Sequence, residues 1–203
     1  MGHIGAPLDF PPWEALSWKN RFDHPEKAFR TLYCAEQRQT ALRETLADFR
    51  PNAKARAEYK RLQGEDLPPP PVKAVWRQAR VLVQGTIQVL RNDLVPIDDP
   101  ALRQEFSALH ADLLAKHGMA HLDISQIRSK DREVTQEVTR FVTARGAAGI
   151  VYGSNLDDLP CAALFEERSL LVPAPGSEIE ELTASHPDLA KVCRDFGLRL
   201  SDD

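Results

Sequence analysis

The stretch "LYCAEQRQTALRETL", residues 32–46, decides the fold class, because two periodicities meet inside it. Thr31 to Ala35 is β-branched, aromatic and apolar, the composition of a short strand. Residues 36–39 are polar and read as a turn. From Thr40 to Phe49 the apolar residues Ala41, Leu42, Leu46 and Phe49 then recur at helical spacing. Strand, turn and helix in direct succession predict an α+β chain. They also put an aromatic, Tyr33, at the strand's end and a carboxylate, Glu44, one turn into the helix.

The same alternation continues outward. Residues 1–30 are rich in Pro, Trp and Phe without periodicity and read as an irregular but packed segment. Residues 52–63 are charged and Ala-rich, and "LPPPPV", residues 67–72, reads as a stiff, extended connector. "ARVLVQGTIQVL" (79–90) reads as two short strands. "DDPALRQEFSALHADLLAKHG" (98–118) carries helix signals: Asp99 as N-cap, Pro100 at the first position, Leu102, Phe106, Leu109 and Leu113 as the inward stripe, and Gly118 as the stop. "SKDREVTQEVTRFVTARG" (129–146) predicts a second helix with Val134, Val138, Phe141 and Val142 inward and Gly146 closing it. The strands "GIVYGS" and "CAALFEE" follow, and a short helix is expected at Pro187 to Phe196.

Composition narrows the chemistry. The 203 residues are 42% hydrophobic and 28% charged, which suits a single globular domain with a proper core. A net charge of −4 argues against direct binding of nucleic acid. No run of apolar residues reaches membrane-spanning length, and the N-terminus has no basic start with an apolar stretch behind it, so a cytoplasmic protein without membrane contact is expected. Three widely spaced cysteines give neither a disulfide framework nor a zinc pattern, and Cys34 and Cys161 read as core thiols. His110, His117 and His121 lack a completing carboxylate at ligand spacing, so structural or solvent-facing roles are expected and no metal site. The Gly-rich phosphate loops, HExxH and GxSxG are all absent.

What remains is a dispersed polar set: Arg21 in "NRFD", Tyr33, Glu44, and the "YGSN" of Tyr152, Ser154 and Asn155. Each has a plain reading. Arg21 can pair with Asp23 or cap a helix, Tyr33 can be a core tyrosine with its hydroxyl at the surface, Glu44 can be solvated, and "YGSN" can be a turn.

The order of these pieces resembles the RES domain family: Arg-Phe-Asp, then Leu-Tyr-x-Ala, then Ala-Leu-x-Glu-Thr, then "VTQE", then Gly-Ile-x-Tyr-x-Ser and a closing Ala-Leu-Phe. The likeness runs from about residue 2 to about residue 167. It implies an ADP-ribosyltransferase-like fold of mixed small sheets flanked by helices, a RES domain over residues 1–172, and a C-terminal arm over 173–203. It also implies a toxin that consumes NAD+ by hydrolysis, phosphorolysis or ADP-ribosyl transfer, with NAD+ as substrate and no cofactor. An Xre-type antitoxin is the implied partner, and a homodimer is expected. The alternative is a family member that binds a nucleotide or protein without turnover. Carried over by position, Glu44 and Arg21 are the catalytic candidates, and Tyr33, Ser154, Asn155, Tyr152 and His3 the substrate-binding ones. His3 stands where relatives carry an arginine; a shorter, mostly neutral side chain would weaken any pyrophosphate contact there.

The chemistry needs few residues. The nicotinamide of NAD+ is cationic before it leaves and neutral afterwards, so no general acid is required, unlike an ordinary glycosidase with two carboxylates. One ionised carboxylate near the ribose suffices to stabilise the oxocarbenium-like transition state. Tyr33 is expected to stack on the nicotinamide ring, Arg21 to bind phosphate oxygens, and Ser154 to hold the amide or a ribose hydroxyl.

Overall fold

The computed structural model describes residues 2–3 (backbone only), 6–129 and 131–203. In chain order its elements begin with β1 (Gly2–His3), β2 (Thr31–Ala35), α1 (Arg38–Leu46), α2 (Ala53–Gln63), β3 (Pro71–Val72), α3 (Ala74–Gln78), β4 (Arg80–Val83) and β5 (Gly85–Val89). They continue with β6 (Leu94–Pro96), α4 (Pro100–Leu109), α5 (Ala111–Lys116), α6 (Ile124–Ile127), α7 (Arg132–Ala144) and β7 (Gly149–Gly153). The chain closes with β8 (Pro160–Phe165), β9 (Ser169–Pro173), β10 (Ile179–Glu181), α8 (Pro187–Phe196) and β11 (Arg199–Leu200). The class is mixed α+β with several small sheets, as expected. The elements gather into two compact units: one from Met1–Leu8, Glu36–Gln84 and Pro173–Asp203, the other from Asp9–Ala35 and Gly85–Val172.

The second unit holds a sheet in the order β2-β8-β7-β6, antiparallel except for the β6–β7 pair. Gly149 is where β7 passes closest to its neighbours: a Cβ there would lie 2.5 Å from the Ala163 carbonyl oxygen and 2.8 Å from Leu94, so only glycine fits. Helix α7 supplies the core with Val134, Val138, Phe141 and Val142, all buried as their spacing predicts, against Ile150, Ala163 and Phe165. Thr135, Thr139 and Thr143 share the buried face. Each hydroxyl donates to the carbonyl four residues back, at 3.2, 3.4 and 2.8 Å, so none of these three hydroxyls is stranded. At the end of β8, Glu166 receives the backbone N–H of Arg30 at 3.0 Å and its Nε at 2.8 Å. Arg30 also donates to the Pro11 carbonyl at 3.2 Å, which fastens the irregular N-terminal segment.

The expected long helix over residues 98–118 is two helices. The chain starts as predicted, with the Asp99 carboxylate accepting from Ala101 N–H at 2.8 Å and Pro100 in the first turn. It breaks at His110, whose φ of −120° and ψ of 33° interrupt the spiral. The break shifts the phase, so Leu109 is 63% exposed, while His110 takes the inward place and stacks on Phe106 with centroids 4.4 Å apart. His110 lies 3.5 Å from Glu137, and His117 contacts Asp131 and Glu133.

In the first unit β4 lies between β1 and β10, antiparallel to both. Helix α1 begins at Arg38, two residues before the expected start, and tightens into a 3-10 turn at Ala47–Phe49. Pro51 ends it by holding the preceding Arg50 at φ −67°, ψ 124°. Residues 53–63, read only as charged, form the regular helix α2, with Asn52 accepting from Ala55 N–H at 2.7 Å and Gly64 closing it at φ 75°. The proline connector ends by pairing: Pro71–Val72 runs parallel to Arg199–Leu200. Buried Arg77 locks the chain end by donating to the Ser201 carbonyl at 2.9 Å. Cys161 and Cys193 are buried and Cys34 partly so, and burial pushes the Cys193 thiol up to about 11. No helix of the described residues is long and apolar enough to cross a membrane.

Candidate active site

Arg21 sits in a tight turn, residues 20–23, that the second unit fixes from two sides. On one side, the Asp23 carboxylate accepts from Asn20 N–H at 2.8 Å and from the Tyr33 hydroxyl at 3.1 Å. That hydroxyl in turn accepts from Phe22 N–H at 3.0 Å, and Thr31 donates to the Phe22 carbonyl at 3.3 Å. On the other side, Gln136 of α7 donates to the carbonyls of Trp18 at 3.2 Å and Asn20 at 3.1 Å, and Arg132 donates to that of Lys19 at 3.2 Å. Trp18 itself has φ of 56°, unusual for a bulky residue, and its carbonyl is one of those Gln136 holds.

The turn aims Arg21 at β7. Its guanidinium carbon lies 5.5 Å from the centroid of the Tyr152 ring and 5.7 Å from that of Phe22, and these two rings are 4.9 Å apart. Tyr152 and Phe22 are both buried, so the cation rests on an apolar aromatic floor. Tyr33, Tyr152 and Arg21 therefore form one connected cluster. The Tyr33 hydroxyl does not reach the surface; it organises the arginine turn.

Burial, the Asp23 charge and the nearby Tyr152 together push the Tyr33 phenol well above 10.0, outweighing the Phe22 N–H contact. A group whose folded-state pKa is raised contributes stability below its unfolded value and loses it as pH rises. Tyr33→Phe is expected to cost about 1–3 kcal/mol near neutral pH, because the Phe22 N–H and the Asp23 carboxylate each lose a buried partner. The gap between wild type and variant should narrow as pH climbs beyond 10.0, where the unfolded phenol ionises and the folded one resists. Urea melts across that range check this; a gap that widens with pH refutes it.

Ser154 and Asn155 lie just past the end of β7. Ser154 is 1% exposed; its Oγ accepts from Leu156 N–H at 3.1 Å, and its backbone closes onto Leu159 and Asp158 at 2.9 and 3.1 Å. Asn155 is exposed and donates to the Arg128 carbonyl at 2.8 Å. Arg128 also pairs with Asp158, and a Cβ on Gly153 would lie 2.9 and 3.0 Å from those two side chains. A cavity of about 350 Å³ opens beside them, lined in part by Tyr152, Gly153, Arg128 and Ile127.

Glu44 belongs to the first unit, half-buried on α1. Polar contacts with residues 173–203 brace that helix. Arg38 reaches Glu180 and Asp188, Gln39 donates to Asp188 at 2.9 Å, and Arg43 to Asp195 at 2.5 Å. The side chain of His3 lies outside the described residues.

A family model described as the RES domain matches residues 3–185. The chain belongs to the RES domain family. Comparison with curated proteins and with solved structures yields no match. Within this RES domain, sequence reasoning missed two residues that hold the arginine turn, Asp23 and Gln136. Both stood inside quoted motifs, "NRFD" and "VTQE", yet their role depends on partners remote in sequence.

Proposed function

We propose that this RES domain cleaves the bond between nicotinamide and ribose C1′ of NAD+, on an ADP-ribosyltransferase-like fold. The observation that carries the reading is that pattern residues from two distant parts of the chain, Arg21 and Tyr33 in one and Tyr152 in the other, fold into one linked cluster. A pinned, planar cation on an aromatic floor suits pyrophosphate oxygens, and stacking on the nicotinamide ring is assigned to Tyr33 from the family pattern. The carboxylate the reaction needs is assigned to Glu44 from the family pattern. As the C1′–N bond breaks, its electron pair leaves with neutral nicotinamide. Glu44 stabilises the ribosyl cation until an oxygen of water, phosphate or a protein side chain bonds to C1′. Ser154, Asn155 and His3 complete the proposed substrate contacts, and no metal or cofactor enters.

The same reading makes the chain a toxin held in check by an Xre-type antitoxin. Expressed alone in a bacterium, it should arrest growth and deplete cellular NAD+ within the induction period, while Glu44→Ala should do neither. Unchanged growth and NAD+ in both strains would refute the toxin reading.

A further inference from the structure

The first unit carries a basic cavity of about 500 Å³ between the start of α2 and the end of α8, lined by Arg50, Arg56, Arg194, Asp195, Phe196 and Gly197. Each arginine is exposed, and among the described residues none of the three takes part in an ion pair. Two of them are placed rather than loose. Arg50 lies with its guanidinium carbon 4.6 Å from the centroid of the Phe196 ring, a cation–π contact that restrains the long side chain. Arg56 reaches across to Gly197, where a Cβ would lie 3.5 Å from its Nη2.

The one acid in the lining does not neutralise them. Asp195 is engaged by Arg43 at 2.5 Å and by Lys191 at 3.2 Å, and the Arg43 contact, followed by that of Lys191, holds its carboxyl below the usual range. The cavity therefore keeps an excess of positive charge within a chain whose net charge is −4. The first turn of α2 adds Lys54, whereas Lys60 at the far end of that helix is paired with Asp66 at 3.0 Å, and no side chain of the helix is buried.

We propose that this cavity binds a phosphate-bearing small molecule, with Arg50, Arg56 and Arg194 gripping the phosphate. Three guanidinium forks present more donors than one carboxylate can accept, whereas a phosphate offers several oxygens and up to two charges. The volume leaves room beyond a bare phosphate for an attached group. The site lies wholly within the first unit and shares no residue with the Arg21 cluster, so it stands independently of the NAD+ reading.

The test is isothermal titration of the full-length protein with inorganic phosphate, pyrophosphate, AMP and adenosine, alongside backbone amide spectra recorded during the pyrophosphate addition. The expected result is saturable binding of the phosphate-bearing probes but not adenosine, at a single site in Arg21→Gln, where the Arg21 cluster no longer contributes. Amide shifts should centre on Ala53, Phe196 and Gly197. Affinity should fall about tenfold or more in Arg56→Gln/Arg194→Gln and be retained in Arg21→Gln. AMP binding more tightly than phosphate would identify a nucleotide as the source, and equal affinities would identify free phosphate. The proposal is overturned if no phosphate probe saturates, if the folded double variant binds equally well, or if Ala53, Phe196 and Gly197 show no amide shift.

Discussion

Glu44→Gln is expected to lower nicotinamide release from NAD+ about 10²–10³-fold while leaving the melting profile near that of wild type. The substitution keeps the side chain's shape and removes its charge, so it withdraws the electrostatic stabilisation of the ribosyl cation with little change in volume. Much of what holds the helix that carries it is unchanged in the variant: Leu42 and Leu46 are fully buried, and Arg38, Gln39 and Arg43 make contacts to residues 173–203. A steady-state assay with purified wild type and variant separates the two effects. A variant that retains full turnover would remove Glu44 from the mechanism.

Phe22→Ala is expected to have the largest effect on stability. The ring is 0% exposed, lies 4.9 Å from Tyr152, and belongs to the core that α7 and the sheet share. Removing a buried phenyl ring costs about 3–5 kcal/mol through lost transfer energy and the void left behind. For a chain of this length that corresponds to a melting shift of roughly 10 °C. The variant should also weaken NAD+ cleavage at temperatures where it is still folded, because the aromatic floor under Arg21 loses one of its two rings. An unfolding free energy from urea melts within about 1 kcal/mol of wild type would show that the cluster is not the packed unit described.

Where local signals were strong, the sequence foretold the structure. Strand β2 has the predicted bounds because β-branched and apolar residues stop at a polar turn. Helix α4 starts at its Asp99 cap, and α7 buries the four residues its spacing selects. The failures have physical causes. Nothing around His110 breaks helices as Gly or Pro does; the kink is the place where its ring stacks on Phe106, a tertiary gain that local propensity does not contain. Helix α2 escaped notice because a helix that buries no side chain has no apolar stripe to read. The Pro71–Val72 strand escaped because its partner lies at the far end of the chain.

The candidate site divides in the same way. Arg21, Tyr33 and Tyr152 were legible only as an ordered family pattern, since each alone looks like an ordinary charged or aromatic residue. Their linkage through Asp23 depends on a hydrogen bond between a turn and a strand, and the hold of Gln136 on that turn spans 116 residues. Such contacts exist only after the chain has folded, and no spacing in the sequence encodes them.

The central claim is that this RES domain breaks the nicotinamide–ribose bond. Purified protein, freed of any bound partner, should be incubated with NAD+ in phosphate buffer, in phosphate-free buffer and with a mixture of acceptor proteins, and free nicotinamide measured by chromatography. The account predicts nicotinamide release in at least one condition and its loss in Glu44→Gln. Intact NAD+ in all three conditions, with wild type and variant equally inert, would contradict it.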